Sequence, residues 1–130
     1  MGGTRQSASV VNIISPLARV SPYASIGKGT VVLHHALVNA GTKVGVNCII
    51  NTKALVEHDC TIEDHVQIST NAVVNGNVYV NNRSFIGSNS VLKQGIQIGK
   101  NTIIGAGAVV TKSIGDNLTV VGNPAKELLT

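Results

Sequence analysis

The chain repeats with a period of six residues over most of its length. Every sixth residue from Ile14 to Val110 is isoleucine, valine or leucine, without a slip over seventeen positions. The residue four places after each of them is small or β-branched, from Ala18 to Ile114. A match of this length rules out accident, and an internal repeat determines the architecture of a whole chain.

A six-residue period is neither the period of a helix nor the simple alternation of a strand. It predicts a short extended stretch followed by a turn, with the branched residue inside and the small residue at the corner. Glycine, asparagine and aspartate supply the turns. Three such sides make a triangular coil, and successive coils stack at a strand spacing of about 4.8 Å. We therefore predict an all-β solenoid of about five to six coils between Ile14 and Gly115.

Composition narrows the class of protein further. The hydrophobic fraction is 43% but the aromatic fraction is only 2%, which indicates a narrow core of branched side chains. There is no apolar run of about 20 residues and no signal-peptide core, so we expect no membrane span and a cytoplasmic protein. The net charge of +4 is scattered, and rings that stack on bases are nearly absent. This pattern disfavours nucleic acid and favours small anionic ligands.

The stretch VEHDC at residues 56–60 places a histidine between two carboxylates. Stacking by three hexads puts Ala40 below His58 and Gly76 above it. A ligand can approach the N–H of a glycine closely, and a base beside such an N–H suits acyl transfer. Asp59 can accept a hydrogen bond from one ring nitrogen and fix the tautomer. On spacing alone, a solvated turn histidine and an ordinary turn glycine stay open as interpretations.

The hexads over residues 14–126, with the ending VVGNPAK, resemble the hexapeptide-repeat acyltransferases, which fold as a left-handed parallel β-helix. The handedness comes from this resemblance, because the period does not set it. The resemblance implies homotrimers with active sites between subunits, and a thin prism has little core of its own. We divide the chain into a disordered lead at 1–10, the β-helix domain at 11–119 and a short C-terminal tail at 120–130. In the tail, the segment KELLT can begin a helix after Pro124.

A closer resemblance lies in INTKALVEHDCTIEDHVQIS, NGNV and IGAGAVV. These motifs resemble the sialic acid O-acetyltransferases and the bacterial N-acetyltransferases of nucleotide-linked 4-amino sugars. The resemblance implies acetyl-CoA as co-substrate, and acetyl transfer to an amine or hydroxyl of a sugar in polysaccharide biosynthesis. It also implies that His58 is the general base and that Asp59 makes it more basic. The alternative is a non-catalytic scaffold or binding prism, since solenoids also serve as spacers.

Other positions carry over from the same family. Gly76 matches a glycine whose backbone faces the acetyl carbonyl, and Asn51 matches an asparagine near the acceptor amine. Ser88 and Ala106, one coil apart, match positions that line the pantetheine arm through backbone groups. Gln67 stands where the family often has a histidine that touches acetyl-CoA, and it donates a hydrogen bond but cannot become charged.

Basic residues are candidates for the CoA phosphates. Lys112 lies on the column of Gly76, and the others are Lys100, Lys126 and Arg83. Solvated surface residues are the open alternative for each of them. Amino-sugar members of the family usually carry an N-terminal Rossmann-like domain, so we expect either a naturally short version or a fragment.

Cysteine and histidine spacings do not predict a metal site. Cys48 and Cys60 lack metal-ligand spacing, and we expect two buried reduced thiols. The hexapeptide fold also hosts zinc carbonic anhydrases, which gather three histidines between subunits. The four histidines do not reproduce that arrangement, so we expect no metal. These four are His34, His35, His58 and His65.

Overall fold

The computed structural model describes residues 11–129, and the predicted lead at 1–10 lies outside the described residues. Regular structure in this part is entirely β, in strands of two or three residues. The strands are β1 Ile13–Ile14, β2 Arg19–Val20, β3 Ser25–Ile26, β4 Val31–Val32, β5 Leu37–Val38, β6 Lys43–Val44, β7 Ile49–Ile50, β8 Leu55–Val56, β9 Thr61–Ile62, β10 Gln67–Ile68, β11 Val73–Val74, β12 Tyr79–Val80, β13 Phe85–Ile86, β14 Val91–Leu92, β15 Gln97–Ile98, β16 Ile103–Ile104, β17 Val109–Val110, β18 Thr119–Val121 and β19 Lys126–Glu127. None of the described residues forms a helix that could cross a membrane.

Strands that are three apart in sequence pair in parallel and build the three sides of a prism. Sheet A has the order β1-β4-β7-β10-β13-β16-β18-β19, sheet B the order β2-β5-β8-β11-β14-β17, and sheet C the order β3-β6-β9-β12-β15. The register pairs residues one coil apart, such as Leu37 with Leu55 and Thr61 with Tyr79. The predicted triangular coil of three hexads is therefore confirmed.

The core is a column of branched side chains along the prism axis. The second residue of each two-residue strand from β4 to β17 is buried, and Val32, Val56 and Ile86 have no exposed surface. Ile14, in the first strand, is 42% exposed, because among the described residues no coil covers it from below. Burial of aliphatic surface drives this packing, and the regular period supplies one such side chain per side of each coil.

The turns share one backbone feature that explains the asparagine and glycine content. The same position of successive turns is left-handed, for example in Lys53 (φ 61°), Asp59 (φ 58°) and His65 (φ 59°). A positive φ at this position is what a type II turn requires, and asparagine, aspartate and glycine tolerate it best. The repeat thus places a turn residue every six positions.

The turns stack into three corners, named here for later use. The histidine corner, between sheets B and C, consists of turns 39–42, 57–60, 75–78 and 93–96. The capped corner, between sheets C and A, consists of turns 45–48, 63–66, 81–84 and 99–102. The serine corner, between sheets A and B, consists of turns 51–54, 69–72, 87–90 and 105–108.

The three faces of the prism differ in polarity. The outward residues of sheet A are mostly apolar and exposed, with Ile49 at 37%, Phe85 at 38% and Ile103 at 46%. Sheet B presents the aliphatic residues Leu37, Leu55, Val73, Val91 and Val109. Sheet C presents the polar or amphipathic residues Ser25, Lys43, Thr61, Tyr79 and Gln97. Two faces are therefore suited to contact with other protein and one to contact with water.

The C-terminal tail forms a strand, and the expectation of a helix in KELLT was wrong. Strand β19 runs antiparallel to β18, pairing Glu127 with Val120 and Lys126 with Val121. The N–H of Leu128 also donates to the carbonyl of Thr119 at 2.7 Å. A segment this short cannot repay the cost of nucleating a helix, whereas the edge of sheet A offers backbone partners immediately.

Candidate active site

His58 lies on the histidine corner, in the turn between β8 and β9. Its ring Nδ1 is 3.0 Å from the Asp59 Oδ2, and the two side chains are 50% and 60% exposed. The left-handed backbone of Asp59 brings its carboxylate back toward the preceding side chain. A carboxylate at Nδ1 favours the tautomer that carries its proton there, which leaves Nε2 free to accept a proton.

The imidazole of His58 lies against Gly76, one coil further along the corner. A Cβ added to Gly76 would lie 2.6 Å from Nε2 and 2.7 Å from Cε1 of that ring. Any other residue at this position would push the ring away. The missing side chain therefore makes room for the imidazole itself, which is a second reason for a glycine beyond the approach of a ligand.

The inner side of the same corner carries two buried polar groups, for which the sequence predicted no role in the site. The hydroxyl of Thr42 donates to the carbonyl of Glu57 at 2.7 Å and accepts from the N–H of Cys60 at 3.1 Å. The thiol of Cys60 donates to the carbonyl of Asn75 at 3.1 Å. The signal was present in the repeat, because both are polar residues at a corner position that holds alanine or valine in many of the other hexads.

Free backbone donors distinguish the corners. On the capped corner the turn N–H of Val46 donates to Asp64 Oδ1 at 2.9 Å, and that of Asp64 donates to Asn82 Oδ1 at 3.0 Å. Within residues 11–129, the corresponding N–H groups of Gly76, Ser88 and Ala106 have no hydrogen-bond acceptor. The histidine and serine corners therefore offer donors to a ligand.

The predicted donor and acceptor residues lie on one corner and one sheet, away from His58. Asn51 and the stacked Ser88 and Ala106 lie on the serine corner, and Asn51 Oδ1 accepts the N–H of Thr52 at 2.7 Å. Gln67 lies on β10 in sheet A, with its Nε2 3.4 Å from Ser69 Oγ. A single chain thus does not bring these four residues to the histidine corner.

The basic candidates are also dispersed. Lys112 is exposed and follows β17, two coils beyond Gly76 on the column of the histidine corner. Arg83 and Lys100 lie on the capped corner, and Lys126 lies in β19. Of these four, Lys112 alone shares a column with His58.

His34, His65 and the two cysteines occupy positions that serve the fold. His34 Nδ1 is 2.5 Å from the Ser15 hydroxyl, and His65 occupies a left-handed turn position. Among residues 11–129, no group of three histidine, cysteine, aspartate or glutamate side chains is placed to hold a metal ion. Cys48 and Cys60 are free and buried, as predicted, and this burial raises the pKa of both thiols.

A second polar cluster lies on sheet C, outside the histidine corner. The hydroxyl of Tyr79 donates to the Glu63 carboxylate, and this hydrogen bond raises the pKa of Tyr79. A groove of about 290 Å³ runs beside it, lined in part by Gln97, Ser113 and Asp116. Ser113 and Asp116 accept backbone N–H groups there, from Gln97 and Lys100 respectively, so both serve the fold.

The fold is a triangular parallel solenoid, and its turn histidine is paired with a carboxylate and packed against a glycine. These features together define a class, the transferases built on hexapeptide repeats. The bacterial transferase hexapeptide family (six repeats) matches residues 59–94 and 77–112. The chain belongs to the hexapeptide-repeat transferases, and the predicted left-handed parallel β-helix is confirmed. Among curated proteins, none matches the chain.

Solved structures add closer relatives. The acetyltransferase domain of PglB from Neisseria gonorrhoeae FA1090 is 42% identical over 92% of this chain and 58% of its own, with a TM-score of 0.92. A histidine-to-asparagine variant of perosamine N-acetyltransferase from Caulobacter crescentus, in complex with CoA and GDP-perosamine, is 36% identical over 94% of this chain and 58% of its own, with a TM-score of 0.93. WeeI from Acinetobacter baumannii AYE is 32% identical over 98% of this chain and 60% of its own, with a TM-score of 0.77. The chain spans less than two thirds of each of these proteins.

Proposed function

We propose that the chain carries the acetyl-transfer site of an acetyl-CoA-dependent sugar N-acetyltransferase. The observation that carries this proposal is the His58 ring, held at Nδ1 by Asp59 and packed against Gly76, whose N–H is free. Support comes from relatives: the PglB domain has been solved with acetyl coenzyme A, and perosamine N-acetyltransferase with CoA and GDP-perosamine. The proposed acceptor is therefore the amine of a nucleotide-linked amino sugar, in preference to a hydroxyl or a sialic acid.

In the proposed reaction, His58 Nε2 takes a proton from the acceptor amine as the amine nitrogen attacks the thioester carbonyl. The C–N bond forms, the C–S bond breaks, and the sulfur leaves with the bonding electron pair. The imidazolium then returns the proton to the departing thiolate. Asp59 holds Nδ1–H throughout, which orients the ring and stabilises its charged form. No covalent intermediate with the enzyme is required.

Backbone donors hold the two ends of the thioester substrate in this proposal. The Gly76 N–H donates to the carbonyl oxygen as negative charge develops there. The N–H groups of Ser88 and Ala106 donate to the pantetheine amides. Lys112 meets the phosphates, and Asn51 and Gln67 contact the acceptor amine and the acetyl donor respectively.

We further propose that the complete site lies between subunits of a homotrimer. Support comes from the separation of the histidine and serine corners by sheet B within one chain. The apolar faces of sheets A and B also suit burial against other copies. Co-expression of His58→Ala with Ala106→Trp tests this, because each variant then lacks a different part of a shared site. Random mixing should restore about a quarter of wild-type activity, and mixed trimers without any activity would contradict a shared site.

A cytoplasmic location is also proposed. The support is indirect: acetyl-CoA is a cytoplasmic metabolite, and the two free thiols suit a reducing compartment.

The proposed function is tested by release of free thiol from acetyl-CoA in the presence of acceptors. Nucleotide-linked amino sugars, with GDP-perosamine first, and sialic acid as a hydroxyl acceptor form the panel. We expect turnover with an amine acceptor and a rise in the unfolding temperature with acetyl-CoA alone, since a ligand of the folded state stabilises it. No thermal shift at millimolar acetyl-CoA, together with no turnover on any acceptor, would favour the scaffold.

A further inference from the structure

Two buried side chains connect the turn of His58 with the turn of Gly76. Some turns of the prism close on themselves, as where the N–H of Ala54 donates to the carbonyl of Asn51 at 3.1 Å. The turn at 57–60 is instead open, because the Thr42 hydroxyl is inserted between the carbonyl of Glu57 and the N–H of Cys60. Thr42 is fully buried, so no water replaces this bridge.

The Cys60 thiol continues the connection into the next coil. It donates to the carbonyl of Asn75, which belongs to the same peptide unit as the N–H of Gly76. In a planar trans peptide the C=O and N–H point in opposite directions. A carbonyl held toward the core therefore turns the Gly76 N–H outward, on the corner where the His58 ring lies. The bond from Thr42 to Glu57 orients the peptide before His58 in the same way.

We propose that Thr42 and Cys60 are positioning residues that fix, from inside the prism, the turn bearing His58 and the direction of the Gly76 N–H. The proposal rests on the proposed function, because it assigns these groups to acetyl transfer. Removing the Thr42 hydroxyl leaves the carbonyl of Glu57 and the N–H of Cys60 without their buried partner. The turn that bears His58 then loses the bonds that fix it, and His58 shifts relative to Gly76. Burial raises the pKa of Cys60 and keeps its thiol protonated, which the bond to Asn75 requires.

The capped corner provides a matched control within the same chain. Thr30 donates to the carbonyl of Gly45 at 2.8 Å and accepts from the N–H of Cys48 at 3.0 Å. The Cys48 thiol donates to the carbonyl of Glu63 at 2.9 Å. The interior chemistry is therefore the same, but this corner carries no candidate catalytic residue.

The test compares Thr42→Val with Thr30→Val, since valine keeps the shape of threonine and removes the hydroxyl. Both variants should lose similar stability in urea, because each loses the same buried bridge. Only Thr42→Val should lower kcat, by about tenfold or more, while its affinity for acetyl-CoA stays within about twofold of wild type. Thr42→Ser, which keeps the hydroxyl, should restore kcat. Likewise, Cys60→Ala should lower kcat and Cys48→Ala should not.

A measurement that does not depend on turnover separates this proposal from the proposed function. The NMR signals of the His58 ring and the Gly76 amide should move in Thr42→Val and stay in place in Thr30→Val. Unchanged signals in Thr42→Val, or an equal loss of kcat in both valine variants, would overturn the positioning role. If acetyl transfer itself is wrong, wild type and His58→Ala have the same turnover, while the NMR comparison still decides whether Thr42 positions His58. If Thr42→Val does not fold, the matched pair Cys60→Ala and Cys48→Ala provides the same comparison.

Discussion

The histidine corner and the capped corner are built on the same interior and differ on the outside. Each has an inward threonine that bridges a turn and an inward cysteine that reaches the next coil. On the capped corner, the carboxylate of Asp64 is used to cap the N–H of Val46. On the histidine corner, the carboxylate of Asp59 faces the His58 ring, and the N–H of Gly76 is left free.

This difference shows how a repeat designed for stability can hold a site. The backbone of a solenoid turn presents an outward N–H in every coil, and leaving it uncapped costs little when water can reach it. A corner can therefore bind a ligand where its turn N–H groups have no side-chain cap and the aspartate faces a histidine instead. The fold stays the same because the interior bonds do not change.

The largest expected difference in kcat between the two corners comes from removing the histidine of each. We expect His58→Ala to lower kcat by about a hundredfold to ten-thousandfold, the usual contribution of a general base. His65→Ala removes a turn histidine from the capped corner and should leave kcat unchanged. Thiol release with acetyl-CoA and the best acceptor measures both. Acetyl-CoA binding should persist in His58→Ala, and equal activity of the two variants would remove His58 from the mechanism.

The next largest effect on kcat should come from filling the space between Gly76 and the imidazole of His58. In Gly76→Ala the new Cβ displaces the His58 ring, and we expect a loss of about tenfold to a hundredfold in kcat. Gly115→Ala is the control, because its Cβ would meet only a Leu118 methyl group at 3.9 Å. Neither glycine needs a left-handed backbone, so both variants should unfold at nearly the wild-type urea concentration. Full activity in Gly76→Ala would show that the ring position does not matter.

The fold could be predicted from sequence alone because every hexad repeats the same pattern of residues. One branched residue inside and a left-handed residue in most turns determine the coil, and stacking by three hexads placed Gly76 beside His58 correctly. The tail was mistaken because its partner is the edge of sheet A, which the local sequence of KELLT does not reveal. The separation of Asn51 and Gln67 from His58 follows from the sheet to which each hexad belongs.

The interior bridges were not foreseen for a different reason. Thr42 and Cys60 fit the size rule for corner positions, so size alone gave no cause to single them out. Their hydrogen bonds depend on the open geometry of turn 57–60, which becomes apparent only in three dimensions. A polar residue at a buried corner position is the signal that points to such a bridge.

Replacing the two aspartates should have smaller effects, which fall on activity at the histidine corner and on stability at the capped corner. Asp59→Asn keeps a residue that tolerates the left-handed backbone but weakens the hold on Nδ1, so kcat should fall about tenfold with little change in stability. Asp64→Ala removes the cap of the Val46 N–H, so the free energy of unfolding should fall by about 1 kcal/mol with kcat unchanged. Urea titration and initial rates separate the two. If both variants lose activity equally, the two corners do not divide function from stability as proposed.

The smallest effect should be common to both corners. Burial raises the pKa of the Cys48 and Cys60 thiols above their ordinary value of 9.0. The stability that each protonated thiol contributes is complete below that value and is lost as the pH rises through the folded-state pKa. The difference in free energy of unfolding between wild type and Cys48→Ala, or Cys60→Ala, should therefore narrow from about pH 8 to pH 11. Urea unfolding across this range measures it, and ionisation of Tyr79 cancels because all three proteins share it. A difference that widens with pH would mean that one thiol ionises more easily in the folded chain, and that its bond to the next coil is not what holds the corner.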